Sequence, residues 1–249
     1  MTAEVIVVTS AYGAERIEQM GGQQAVLPVI AAAGADGVEI RRELLSDAEL
    51  ERLPALASAI SAAGLHAIYS VPEALFTHSG QLNPELDRHL AEAQQLQARA
   101  IKYSLGHFRR GVGNTSLREK LAACSLTLLV ENDQTDCGRL SALDNYFRHQ
   151  DDTLPRGNMV FDTGNWLWVG DSPLLAAERL GGFVSYIHVK AAMSGDKGWC
   201  AIPLDEASDL WRQTLKQLPA GVPRGIEFPL SGDDLIAVTR HYVDLLRQE

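Results

Sequence analysis

A regular beat constrains this chain more than any other feature. Eight short apolar runs recur along it: "VIVVTS" (5–10), "GVEIR" (37–41), "LHAIYS" (65–70), "AIKYSL" (100–105), "LTLLVE" (126–131), "NMVFDT" (158–163), "VSYIHVK" (184–190) and "RGIEF" (224–228). Each is strand-length and rich in Val, Ile, Leu or aromatics, as strands buried on both faces are. The intervals are about thirty residues, the size of one βα unit. Helix punctuation fills the gaps. Ser46 and Glu49 fit a capping box, Pro54 restarts a helix and Gly64 closes it. Asn83-Pro84 reads as N-cap and first helical residue, with Leu86, Leu90, Ala93 and Gln97 on one stripe. Asp171-Ser-Pro173 opens another helix that Gly181 ends. Leu210, Thr214, Leu215 and Leu218 line the next, and Leu235, Val238, Tyr242 and Leu245 the last. Strict alternation predicts a parallel sheet with right-handed crossovers. Eight such units predict a closed (β/α)8 TIM barrel. No linker or low-complexity tract divides the chain, so residues 1–249 read as one domain. The competing open, doubly wound sheet lacks its phosphate fingerprint: "VTSAYGAER" has one glycine where G-x-G-x-x-G needs three.

The formal net charge of −10 argues against a nucleic-acid partner, which would need a basic stripe. No apolar run reaches the length that spans a bilayer. The N-terminus has no basic segment ahead of its apolar run, which is too short for a signal peptide. Cys124, Cys137 and Cys200 show no paired spacing, which points to a reducing compartment and a cytoplasmic location.

The active site of a (β/α)8 barrel lies at the C-terminal ends of its strands. There the fifth run ends on Glu131, the sixth on Asp162, the seventh carries His188, and the eighth ends on Glu227. A single strand-end carboxylate is commonly a helix cap or a surface residue, and a lone His in an apolar strand is commonly a core residue. Four such residues in register on successive strands point elsewhere. Three carboxylates at close quarters do not all stay ionised without a cation. One divalent metal ion answers that need. Three oxygens and one nitrogen, without sulfur, favour Mn2+, Mg2+ or Co2+, with Zn2+ also compatible.

The motifs "LLVEN", "VFDTGN", "YIHVK" and "GIEF" resemble the four metal-ligand strand ends of the xylose isomerase-like barrel superfamily, and "GVEIR" on the second strand and "IPLDEASDLW" before the seventh helix also resemble that group. That superfamily includes the sugar phosphate isomerase/epimerase group, ketose 3-epimerases, inosose dehydratases and endonuclease IV relatives. The resemblance extends over essentially the whole chain, and within the superfamily it points to epimerases associated with 2-ketogluconate use. It implies that Glu131, Asp162, His188 and Glu227 hold the metal and that Glu131 and Glu227 are also the acid/base pair. The chain departs from the pattern at Asn165, where many relatives carry His, at Tyr186, where ketose epimerases often carry a second His, and at Ala191, where relatives often carry Asp.

The implied activity is that of a sugar isomerase or epimerase. A proton is removed and returned beside the carbonyl of a small ketose, sugar acid or sugar phosphate, through an enediolate stabilised by the metal. The same abstraction followed by loss of a β-hydroxyl would make a dehydratase. An endonuclease IV-like nuclease needs more His ligands than these strand ends supply, and a non-catalytic sugar-binding barrel would not need the full set. The partner expected is a small-molecule carbohydrate, with no nucleic acid and no membrane; a homo-oligomer is compatible with the sequence. Further substrate contacts are expected from Glu39, Lys102, Lys190 and Asn165. Arg41 and Arg109 are candidates to meet an anionic substrate, as are their neighbours Arg42 and Arg110. Trp166 and Trp168 would wall the pocket. His107 and Phe108 fall in a glycine-rich loop that reads as a lid, and Asn132 and Asp133 would orient the ligands.

Overall fold

The structure, a computed structural model, describes residues 2–111, 114–149, 158–196 and 198–249. All eight apolar runs form strands. In chain order these are β1 (Val5–Val8), β2 (Gly37–Arg41), β3 (His66–Phe76), β4 (Ala100–Gly106), β5 (Thr127–Glu131), β6 (Met159–Asp162) and β7 (Val184–Val189). A hairpin, β8 (Ala191–Gly195) and β9 (Gly198–Ile202), precedes the last stave, β10 (Arg224–Ile226). The staves close in the order β1-β10-β7-β6-β5-β4-β3-β2 with every pairing parallel, a (β/α)8 barrel. The antiparallel hairpin was not foreseen. Its Met193 and Trp199 are exposed, so a search for buried apolar runs passes over it.

The helices are α1 (Ala14–Met20), α2 (Leu27–Ala32), α3 (Asp47–Leu50), α4 (Leu53–Ala62), α5 (Leu86–Gln95), α6 (Asn114–Ala122), α7 (Leu140–Arg148), α8 (Pro173–Leu180), α9 (Leu210–Leu215) and α10 (Leu235–Gln248). None among the described residues is long and apolar enough to cross a membrane. Ser46 and Glu49 form the reciprocal capping box at α3, and Ser172 caps α8 ahead of Pro173. Three expectations shift. Asn83 Oδ1 accepts the Glu85 N–H at 2.9 Å, which makes a turn before α5 rather than its cap. Gln97 lies beyond α5 at φ +54 and is exposed, and Leu96 takes the buried place. On α10 the buried stripe is Thr239, Tyr242, Val243 and Leu246, turned by about one residue from the expected one. Part of the glycine-rich loop, residues 112–113, falls outside the described residues.

Strand period separates two environments. Val5, Val7, Ile40, Tyr69, Ile101, Val130, Phe161 and Ile187 pack outward against the helices in one core. Their neighbours Ile6, Ile68, Ala100, Leu129, Val160 and Tyr186 form a second cluster inside the barrel. Side chains alternate faces, so the residue two positions further on returns to the interior. Those positions hold Val8, Ser70, Lys102, Glu131, Asp162 and His188, all buried and all but Val8 polar. The barrel interior thus has an apolar floor and, one layer nearer the C-terminal rim, a polar layer resting on it. Leu129→Ala should open a cavity in that floor and lower unfolding stability by about 2–5 kcal/mol, measured by urea denaturation. A loss under 1 kcal/mol would show that the floor carries little of the packing.

Candidate metal centre

Glu131, Asp162, His188 and Glu227 each offer one ligand atom, and these atoms lie within 4.8 Å of one another. Strand register brings this about. Glu131 and Asp162 are the last residues of their strands, His188 pairs with Asp162 across the β6–β7 ladder, and Glu227 follows the end of β10. A register shift between Met159 and Val160 sets that ladder, so that Tyr186 and His188 lie beside Val160 and Asp162.

His188 is fully buried and has a carboxylate on each side. Its Nδ1 is 2.5 Å from Glu131 Oε1 and 3.1 Å from Glu227 Oε2, and its Nε2 is 2.7 Å from Glu39 Oε2. Burial alone would lower the imidazole's pKa, but Glu39, Glu131 and Glu227 hold it well above the ordinary histidine value. Glu39 also accepts the Tyr186 hydroxyl at 3.1 Å, and its Oε1 is 3.6 Å from Lys102 Nζ. Lys102 bonds Glu131 Oε2 as well. Burial raises the Glu39 and Glu131 carboxyls, yet the neighbouring cations prevail and both end below the ordinary value, Glu131 at about 2.

Asp162 is held differently. Its Oδ1 accepts the N–H groups of Gly164 and Asn165 at 2.7 and 2.8 Å. Its Oδ2 is 2.8 Å from Lys190 Nζ, which is also 2.8 Å from Glu227 Oε2 and 3.2 Å from Asn165 Oδ1. Burial pushes the Asp162 carboxyl up to about 7 against the pull of Lys190, and the charges of Glu227 and Glu131 add to the rise. Glu227 takes a further contact from Arg41 Nη1 at 3.0 Å. Despite burial, Lys190 and His188 keep Glu227 well below the ordinary range. The Asn132 amide fixes the Asp162 backbone, accepting its N–H at 2.8 Å and donating to its carbonyl at 3.0 Å. Asn165 donates in turn to the Asn132 carbonyl at 2.9 Å.

This arrangement fits a divalent cation. Glu131 Oε1 and Asp162 Oδ2 are buried, belong to the four-residue cluster and face cations, His188 Nδ1 and Lys190 Nζ, where positive charge is already called for. The His188 Nε2–H is held on Glu39, which leaves Nδ1 toward the other carboxylates. A carboxylate that fixes a ligand histidine through its second nitrogen is the usual support for a metal site.

Other candidate residues fall on both sides of expectation. Glu39, Lys102, Lys190, Asn165 and Arg41 join the cluster. Arg109 does not: it is exposed, its stem passing over Gly80. Trp166 is fully buried against Phe161 at 5.2 Å between ring centroids, so it is core rather than an open pocket wall. Trp168 faces Trp199 of the hairpin at 6.4 Å. Arg42 is held by Glu92, and Arg110 by Asn145 and His149. Asp133 caps the Thr135 turn. Tyr186 was noted only as a departure from the family pattern. Its place two residues before His188, on the same strand face, is the signal that it could reach Glu39.

No family model matches the chain, and no curated protein sequence matches it. Solved structures do. Over 98% of each chain, the structure is similar to the IolI protein with a bound zinc atom, with a TM-score of 0.70 at 12% identity. It is similar to L-ribulose 3-epimerase with a TM-score of 0.66 at 15% identity, over 99% of this chain and 95% of that one. It is also similar to a fusion of a xylose isomerase-like TIM barrel with a 4-hydroxyphenylpyruvate dioxygenase, with a TM-score of 0.65 at 16% identity. There the match covers 94% of this chain and 40% of the fusion, so the chain spans less than half of that protein. The neighbours are thus xylose isomerase-like barrels and a sugar epimerase, and at these identities the likeness establishes the fold.

Gly225 shows how tightly the centre is packed. A Cβ there would lie 2.4 Å from Tyr186 Oη and 2.9 Å from His188 Cδ2. Gly225→Ala should therefore displace the two side chains that Glu39 holds and lower stability by about 1–3 kcal/mol. Thermal denaturation checks this; an unchanged midpoint would mean that the rings shift at no cost.

Proposed function

We propose that the chain is a divalent-metal-dependent sugar isomerase or epimerase that moves a proton at a carbon next to the carbonyl of a small ketose, sugar acid or sugar phosphate. The observation that carries this reading is the convergence of Glu131, Asp162, His188 and Glu227, whose ligand atoms lie within 4.8 Å of one another at the C-terminal rim. These four residues would hold the ion, and a set of oxygens with one nitrogen suits Mn2+, Mg2+ or Co2+ and admits Zn2+. When bound, the ion would polarise the carbonyl and stabilise the negative charge that develops beside it.

Glu131 and Glu227 approach from staves separated by β6 and β7. That placement suits a pair in which one carboxylate removes the proton and the other returns it from the opposite side. Lys102 and Lys190 keep both carboxylates ionised, and an ionised carboxylate is the form that accepts a proton. Glu39 acts as a positioning residue for His188.

The test is solvent exchange. Protein loaded with Mn2+ and incubated in D2O with ketoses, sugar acids and sugar phosphates should place deuterium next to the carbonyl of at least one of them. Glu131→Gln should slow that exchange by about 10²–10⁴-fold, and the bound metal should be measured alongside. Stoichiometric metal with no deuterium in any compound rules the reading out, and a product that has lost water makes the chain a dehydratase. Glu39→Gln should weaken Mn2+ binding about 10–100-fold by calorimetric titration. Unchanged affinity would remove Glu39 from the support of the centre.

A further inference from the structure

A pocket of about 400 Å³ opens beside the candidate centre. Lys190 and Glu227 line its inner end. Its remaining walls come from the segment after β1 (Ser10 to Gly13), from Phe228 to Ser231 after β10, and from Ala201 of the hairpin. Arg16, on the first turn of α1, also lines it. The volume is ample for a sugar of five or six carbons.

The charges of this region are unevenly matched. Lys102 is within ion-pair distance of Glu131 and Glu39, Lys190 of Asp162 and Glu227, and Arg41 of Glu227 and Glu43. Each of these cations answers a carboxylate of the protein. Arg16 has no carboxylate partner among the described residues. Its polar contact is a long hydrogen bond of 3.4 Å from Nη1 to the Gly232 carbonyl. Arg16 is half-buried and lines the cavity. A neutral sugar would leave that charge without a counterion. A substrate carrying an anionic group would bring one, and guanidinium forks bind carboxylate and phosphate in the same bidentate way.

We infer that Arg16 anchors an anionic group, a carboxylate or a phosphate, at the end of the substrate remote from Glu131 and Glu227. The site therefore selects sugar acids or sugar phosphates over neutral ketoses. The inference rests on the isomerase reading for the identity of the reacting end, whereas binding of the anion can be measured without turnover.

The experiment is equilibrium titration of the Mn2+-supplemented protein with three probes: D-fructose, D-gluconate and D-fructose 6-phosphate. At least one anionic probe should bind ten-fold or more tightly than D-fructose, and the preferred one distinguishes carboxylate from phosphate. Arg16→Ala should abolish that preference, read as the ratio of anionic-probe to D-fructose affinity, and Arg16→Lys should keep part of it. Anionic probes that bind no tighter than D-fructose, or equally well to wild type and Arg16→Ala, overturn the inference. The two readings fail separately. A preference dependent on Arg16 without any proton exchange refutes the isomerase and leaves the anchor standing. Exchange into a neutral ketose without anion preference does the reverse.

Discussion

The imidazole of His188, held between Glu39 on one side and Glu131 and Glu227 on the other, is the contact on which the rim depends. It links β2, β5, β7 and the end of β10 across the barrel interior. Burying one ion costs several kcal/mol even after relaxation, and one close pair at an effective dielectric near 20 returns only about 4 kcal/mol. A single partner per carboxylate is therefore barely enough. The structure supplies more than one each. Glu227 has Lys190, Arg41 and His188; Glu39 has His188, Tyr186 and Lys102; Glu131 has Lys102 and His188; Asp162 has Lys190 and two backbone N–H groups.

The same accounting says what a divalent ion would change. Its two charges would enter a cluster that Lys102, Lys190 and Arg41 already offset and that His188 bridges. Ligation through His188 Nδ1 requires that nitrogen to give up its proton. Lys190, in contact with both Asp162 and Glu227, is the other cation near which the ion would have to fit. Metal binding at this rim would thus be an exchange of positive charge rather than a simple addition, and proton release would accompany it.

Much of this was legible in the sequence because two periodicities coincide. The thirty-residue beat marked the staves, and the two-residue alternation within each stave put Glu131, Asp162 and His188 on the inner face above Leu129, Val160 and Tyr186. What stayed hidden depends on geometry that no local pattern carries. Trp166, close to Asp162 in sequence, turns into the core beside Phe161, and Arg109 points away from the centre into solvent. Arg16 looks like any charged residue on a short surface helix, and only closure of the barrel between β1 and β10 brings it to the same cavity as Glu227. The hairpin carries no such pattern for a different reason: its Met193 and Trp199 are exposed, so it lacks the apolar run of a buried strand.

The floor and the pocket together restrict how a ligand can lie. Ile6, Ile68, Ala100, Leu129, Val160 and Tyr186 fill the barrel below the polar layer, and the lower interior is closed. A molecule that reaches Glu131 and Glu227 therefore comes from the rim, and the described cavity that meets Glu227 runs toward the segments after β1 and β10. Its inner end is crowded with groups already paired to one another, while its other walls include an arginine without a carboxylate partner among the described residues. Such a polarity favours one orientation of an elongated ligand: the polarisable end toward the carboxylates, the anionic end toward Arg16. On the proposed reading, orientation would be set by charge before any hydroxyl of a sugar is recognised.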